Sequence, residues 1–312
     1  MATFGDPVAT GAGRGVASRG CAFPLASEVP TRRILIVLAL SVTALLSFTA
    51  PGEAQRYRGS DEGYAPVNRR TPVNLGDGLP DIPGGFTLCR LAYTSPRGHD
   101  GSGNGWPTDF PNADRNLMTR LGELTPTPVS LWSHGEPGYA VVRVTDAEAY
   151  QCPFLYATDV GELGLYPDEV AAMRDFLLKG GLLWVDDYWG SAAWNDFARE
   201  MEKVVPEFAI VDLPLDHPLF SIVYNIPTVP QVPSIQFWRF SAGGTSELGR
   251  DSATPHLRAI MDDGGRILVL ITHNTDISDG WEREGEDPEF FYLFSPDSYA
   301  VGIDVTVWMM TH

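Results

Sequence analysis

The chain reads as an open α/β sandwich, a mainly parallel sheet with helices on both faces. Three observations carry that reading. Residues 153–190, PFLYATDVGELGLYPDEVAAMRDFLLKGGLLWVDDYWG, follow the order strand, helix, strand, turn. The strand runs are short, apolar and bounded by Gly, Pro or Asp, as strands buried on both faces are. Polar clusters come directly after strands, and open α/β sheets take their ligands at the carboxyl ends of strands.

In the central unit, 154–157 is the first strand. Pro167 suits the first position of a helix, where no backbone N–H is needed. Asp168 and Glu169 lie in the first turn, where the helix dipole favours negative charge. Val170, Met173, Phe176 and Leu177 recur at helical spacing, and Gly180-Gly181 ends the helix. Residues 182–185 form the second strand, with Asp186 and Asp187 at its carboxyl end. Trp194, Phe197, Met201 and Val204 line one face of the next helix, which Pro206 stops. Asp186 and Asp187 therefore occupy a strand-to-helix elbow, a turn that presents a side chain above the sheet.

The sequence has 312 residues, 44% of them hydrophobic, enough for one substantial core. Its net charge of −18 repels phosphate backbones and argues against nucleic acid as a partner. Residues 34–50 are apolar and uncharged, with Arg32-Arg33 before them and Gly52-Glu53-Ala54 after. This pattern predicts a signal peptide cut after Ala54 and an exported protein, periplasmic or secreted. An uncleaved N-terminal membrane anchor is the alternative. The expected organisation is an extension plus signal over 1–54, a linker over 55–85 and a single α/β domain over 86–312. Cys89 and Cys152 lie on or beside neighbouring strands. An exported chain lets them pair; two separate buried thiols are the other reading. No CxxC spacing points to zinc.

Further strands are expected over 86–93, 129–132, 140–144, 208–213, 234–241 and 266–272, the last being the strongest. Helices are expected over 113–124, 256–261 and 301–310, with a short helical turn at 146–150. The long polar loop 95–111 carries His99, Asp100, Trp106, Thr108 and Asp109, and long loops inside domains are often functional. A second polar cluster, HNTDISDGWEREGED, follows the strongest strand from His273 to Asp287. With Asp159 and the elbow, four loops converge above the sheet. They offer carboxylates (Asp109, Asp159, Asp186, Asp187, Asp276, Glu282), an imidazole (His273) and aromatics (Trp106, Tyr188, Trp189, Trp281).

Carboxylates beside flat aromatic faces suit a small ligand or glycan, and paired carboxylates suit glycoside acid/base chemistry. His273 with Asp186, Asp187 or Asp276 would alternatively hold a divalent metal through mixed N/O ligands, although no HExxH-type spacing occurs. A purely structural account is also open. Asp186 or Asp187 would cap the following helix, Asp276 would hold a turn and Trp281 would cover the core. His217, in Asp216-His217-Pro218, is held extended by the proline; it would either face the pocket or bond backbone, and the structural role is the favoured one.

The segments GWPTDFPNADRNL, PFLYATDVG, GGLLWVDDYWG, LPLDHPLF and HNTDISDGWEREGED resemble, in this order, the bacterial DUF4159 family over nearly all of 86–312. That resemblance implies a flavodoxin-like sandwich similar to class I glutamine amidotransferases. It also implies, for some members, membrane-associated assemblies with MoxR-type ATPases and von Willebrand factor A proteins. In the amidotransferases the elbow after the Gly-Gly strand carries a nucleophilic cysteine. Here that turn reads Val185-Asp186-Asp187-Tyr188-Trp189-Gly190, with no thiol. Thioester chemistry needs a polarisable, readily ionised nucleophile, which argues against glutaminase activity. The Asp216-His217-Pro218 element is also similar to trehalose-utilisation proteins of related fold. The expected function is an exported domain that binds a ligand or partner without turnover; the alternative is a carboxylate- or metal-dependent hydrolase acting on carbohydrate.

Overall fold

Among the described residues seven strands form one sheet, in the order 139–142, 88–91, 154–158, 182–186, 267–273, 256–261 and 210–212. In this computed structural model the described residues are 85–95, 105–152 and 154–312. The apolar segment 34–50, the cleavage point after Ala54, residues 55–84 of the linker, and His99 and Asp100 lie outside them. Strands β1 (Leu88–Leu91), β2 (Tyr139–Val142), β3 (Phe154–Thr158), β4 (Leu182–Asp186) and β7 (Ile267–His273) run parallel. β6 (His256–Met261) is antiparallel to β7, and the edge strand β5 (Ile210–Asp212) is antiparallel to β6. The architecture is a mixed α/β fold consistent with a flavodoxin-like sandwich.

Strand periodicity assigns the two faces, because alternate side chains point to opposite sides. Leu183 and Val185 of β4 pack with Ile271 of β7 beneath α2 (Pro167–Leu178) and α3 (Gly190–Val204), through Phe176, Leu177, Phe197 and Met201. Leu182 and Trp184 pack with Leu270 on the other face, against Leu117 and Leu121 of α1 (Asn112–Leu124) and Val301 and Val305 of α6 (Pro288–Thr311). The Gly-Gly stop to α2 is a steric requirement. Gly180 has φ +112°, and a Cβ on Gly181 would lie 2.4 Å from the Phe176 ring.

Four expectations change. Residues 234–241 contain a helix, α4 (Ile235–Phe240), and not a strand. Ser234 caps it by accepting from Phe237 N, and Ile235 and Trp238, three apart, pack inward. Residues 256–261 are β6, and not a helix. A tight turn at Asp262, whose Oδ1 accepts from Gly264 N and Arg266 N, folds this segment back onto β7 as a hairpin. Residues 129–132 make isolated bridges, Phe86 to Val129 and Leu131 to Pro137, and no strand. Residues 301–310 belong to a longer helix, α6, that begins at Pro288 and continues through Pro296. Tyr292, whose carbonyl loses its donor there, is an exposed residue.

The two cysteines are joined. Cys89 on β1 and Cys152 just before β3 form a disulfide with Cα atoms 6.0 Å apart. No helix among the described residues is long and apolar enough to cross a membrane.

Candidate acidic site at the carboxyl edge of the sheet

Arg90, Tyr156, Trp184 and Thr272 share the α1/α6 side of the sheet. Above them the acids collect. Asp186 ends β4 fully buried, where Oδ1 accepts from Thr272 Oγ1 at 2.6 Å. Its Oδ2 accepts from Tyr156 OH and from Ser278 N, both at 3.0 Å. Ser278, just before the short helix α5 (Asp279–Glu282), lies at the centre of the group. Its Oγ is 2.7 Å from Asp109 Oδ2, 3.1 Å from Asp276 Oδ1 and 3.3 Å from Asp186 Oδ2. A hydroxyl has one proton for these three carboxyl oxygens.

Asp109, Asp276 and Asp279 each offer an oxygen within 4.8 Å of the others. Asp279 also accepts from Ile235 N at 2.7 Å, and Asp276 accepts from Asp279 N at 2.8 Å. Asp187 accepts from Trp189 Nε1 at 3.2 Å, and Asp159 from Gly105 N at 2.7 Å. Asp109, Asp159 and Asp187 all have left-handed backbones, with φ of 63°, 54° and 52°. Aspartate tolerates that region better than most residues, at a cost on the order of 1 kcal/mol each.

So many acids in a poorly hydrated place repel one another. Burial, then the charge of Asp109, pushes Asp187, Asp276 and Asp279 well above the usual carboxylate range. The same two causes push Glu282 up to about 8. Burial raises Asp186 to about 6 against the pull of its hydrogen bonds, and raises Glu247 and Asp109 as well. Two cations act on Asp109, Arg90 and Arg283. Arg90 already pairs with Asp114, and Arg283 lies 2.7 Å from Glu282 and 3.5 Å from Asp279.

His273 stands apart from this group. Thr272 faces the acids, so the next residue on β7 must face α3. Nε2 of His273 lies 3.1 Å from Gly190 O and Nδ1 lies 3.2 Å from Arg258 Nη1. The ring sits between Tyr188 and Trp194 and stacks near His256. Burial lowers its pKa to about 4, so the imidazole is neutral. The expected mixed N/O set is therefore corrected: His273 lies away from the acids, and the residues that could hold a metal, Asp109, Asp276 and Asp279, offer oxygen alone.

The aromatics also depart from expectation. Trp106, Tyr188 and Trp281 are buried, and Trp281 packs among Trp184, Tyr156 and Tyr299. Trp281 lies with Tyr156 and Trp184 on the side of the acids, whereas Tyr188 packs on Phe197 and His273 on the α3 side, and none of the three presents an open face to a sugar ring. Neither elbow aspartate caps α3. Gly190 N donates to Asn274 Oδ1 at 2.8 Å and Ser191 N to Asp251 Oδ2 at 2.9 Å, from distant segments. His217 accepts from Leu219 N and packs on Trp308, the structural role expected of it. A cavity of about 250 Å³, lined by Gly180, Arg266, Trp308 and His312 among others, opens at the amino edge of the sheet.

The family model described as "Domain of unknown function (DUF4159)" matches residues 87–310. The chain belongs to that family. The match runs from β1 into the last turn of α6, so the acidic group lies wholly inside the DUF4159 domain. No curated protein matches the chain.

Sequence reading singled out Asp109, Asp159, Asp186, Asp187, Asp276 and Glu282, and these acids share the carboxyl edge. It passed over Arg90, Asp114, Glu247, Ser278 and Asp279. Arg90 had a signal: an arginine inside an apolar strand must find a partner. Glu247 had none, because it arrives from the long connection between β5 and β6.

Proposed function

We propose that this DUF4159 domain is an exported binding module without turnover, and that its ligand is held by the acids of the carboxyl edge. The observation that carries this reading is the excess of buried carboxyl groups over cations around Asp109, Asp276 and Asp279. A ligand that brings concentrated positive charge relieves that repulsion. Oxygen-only ligands favour a hard cation such as Ca²⁺, Mg²⁺ or Mn²⁺. The elbow supports binding over catalysis, since Asp187 stands where a thiol nucleophile would be needed. The Cys89–Cys152 bridge supports export, because such bonds persist in oxidising compartments.

The test is a titration of the full chain with each of the three cations, followed by thermal unfolding. A saturating cation should raise stability by about 2–3 kcal/mol at a hundredfold excess over Kd, and Asp109→Asn should remove most of the gain. If none of the three shifts the unfolding transition, the reading is wrong. Turnover of a glycan or ester that disappears in Asp187→Ala would replace it with the hydrolase reading, which uses the same acids.

A further inference from the structure

We propose that Arg90 is the positioning residue of this site: it holds the Thr108–Asp109 turn so that the Asp109 carboxylate meets Ser278, Asp276 and Asp279. This rests on the reading of the acidic edge as a binding site. Arg90 is completely buried in the middle of β1. Its guanidinium forms a two-pronged pair with Asp114 of α1, through Nη2 to Oδ2 and through Nε to Oδ1 at 3.2 Å. Its remaining prong, Nη1, donates to Thr158 Oγ1 at 2.7 Å and to Thr108 O at 3.3 Å.

Thr158 Oγ1 in turn donates to Thr108 O at 3.0 Å. Two donors from neighbouring strands thus converge on one carbonyl, and the next residue is Asp109 with its left-handed backbone. The guanidinium also lies 4.7 Å over the Tyr156 ring, whose hydroxyl donates to Asp186. One planar cation therefore ties β1, β3, α1 and the site loop together. A lysine cannot reproduce this, because an ammonium lacks the planar fork that grips Asp114 while a third prong reaches Thr108.

The deciding experiment compares the wild type, Arg90→Lys and the double variant Arg90→Met/Asp114→Leu. The double variant removes both buried charges together, which keeps the fold where a lone unpaired charge would not. Amide hydrogen exchange is read without added cation, over residues 105–111 and over α2 as a remote control. Exchange at 105–111 should quicken at least tenfold in the double variant and by less in Arg90→Lys, with α2 unchanged.

Unchanged exchange at 105–111, or equal quickening at α2, overturns the positioning role. A Ca²⁺, Mg²⁺ and Mn²⁺ titration of the wild type reports separately on the binding reading. Local loosening with no cation binding would leave Arg90 as the organiser of a loop that serves some other ligand. Where the wild type does bind, the double variant should bind at least tenfold more weakly.

Discussion

Thr272 and His273 are consecutive residues of β7, yet they belong to two regions of opposite character. On the His273 side the imidazole and the guanidinium beside it both have counterparts, although the buried hydroxyl of Tyr188 has none among the described residues. The two ring nitrogens meet Gly190 O and Arg258, Arg258 pairs with Asp212, and its guanidinium lies 4.2 Å over the Trp194 ring. On the Thr272 side the carboxyl groups outnumber the cations that act on them, and the Ser278 hydroxyl has three carboxyl oxygens within 3.3 Å. A polar residue at a strand's end is thus not a functional signal by its type. The balance of charges and protons around it is what separates a satisfied structural residue from one that awaits a ligand.

The largest expected effect breaks the two-pronged ion pair beside the site. Asp114→Ala strands the buried Arg90 charge and should cost about 3–5 kcal/mol in urea unfolding. A loss below about 1 kcal/mol would mean that Arg90 finds another partner and that the two regions differ less than described.

Next comes the satisfied side. His273→Ala removes the partners of Gly190 O and Arg258 and should cost about 1–3 kcal/mol, with cation binding unchanged. Loss of cation binding in a variant that stays folded would return His273 to the site.

The smallest effect is in pH. Glu282 has a pKa raised to about 8 and Asp186 one raised to about 6, so the folded protein binds protons that the unfolded chain has already released. In the absence of divalent cations, stability should therefore rise as pH falls from 8 to 6.5. Below 6.5 His273 acts the other way, because its folded pKa of about 4 lies under its ordinary value. A melting temperature that is flat or falling from pH 8 to 6.5 would indicate that these carboxylates are balanced after all.

Much of this was legible from residues alone. The strand-helix-strand unit was, because apolar periodicity, Pro167 and Gly180-Gly181 act locally. The elbow acids were, since strand ends in such sheets face ligands. The helical nature of 235–240 was not; IQFWRF suits either element, and the choice came from packing of Trp238 on Phe290 and Phe294. Nor was β6, whose strand pairing depends on its hairpin to β7.

By itself the sequence determined the layered α/β plan, the membership of β3, β4 and β7 in a buried sheet, and the carboxyl edge as the place where acids gather. Those follow from short-range patterns of apolar side chains and turn residues. Tertiary structure decided which acids face one another and which histidine leaves them. Ser278 bonds Asp109 across 169 positions of sequence, and strand alternation turns His273 away from the side its neighbour serves. The pairing of Arg90 with Asp114 likewise joins a strand to the helix that crosses over it. No local pattern encodes contacts of that kind, because they exist only once the sheet has brought distant strand ends together.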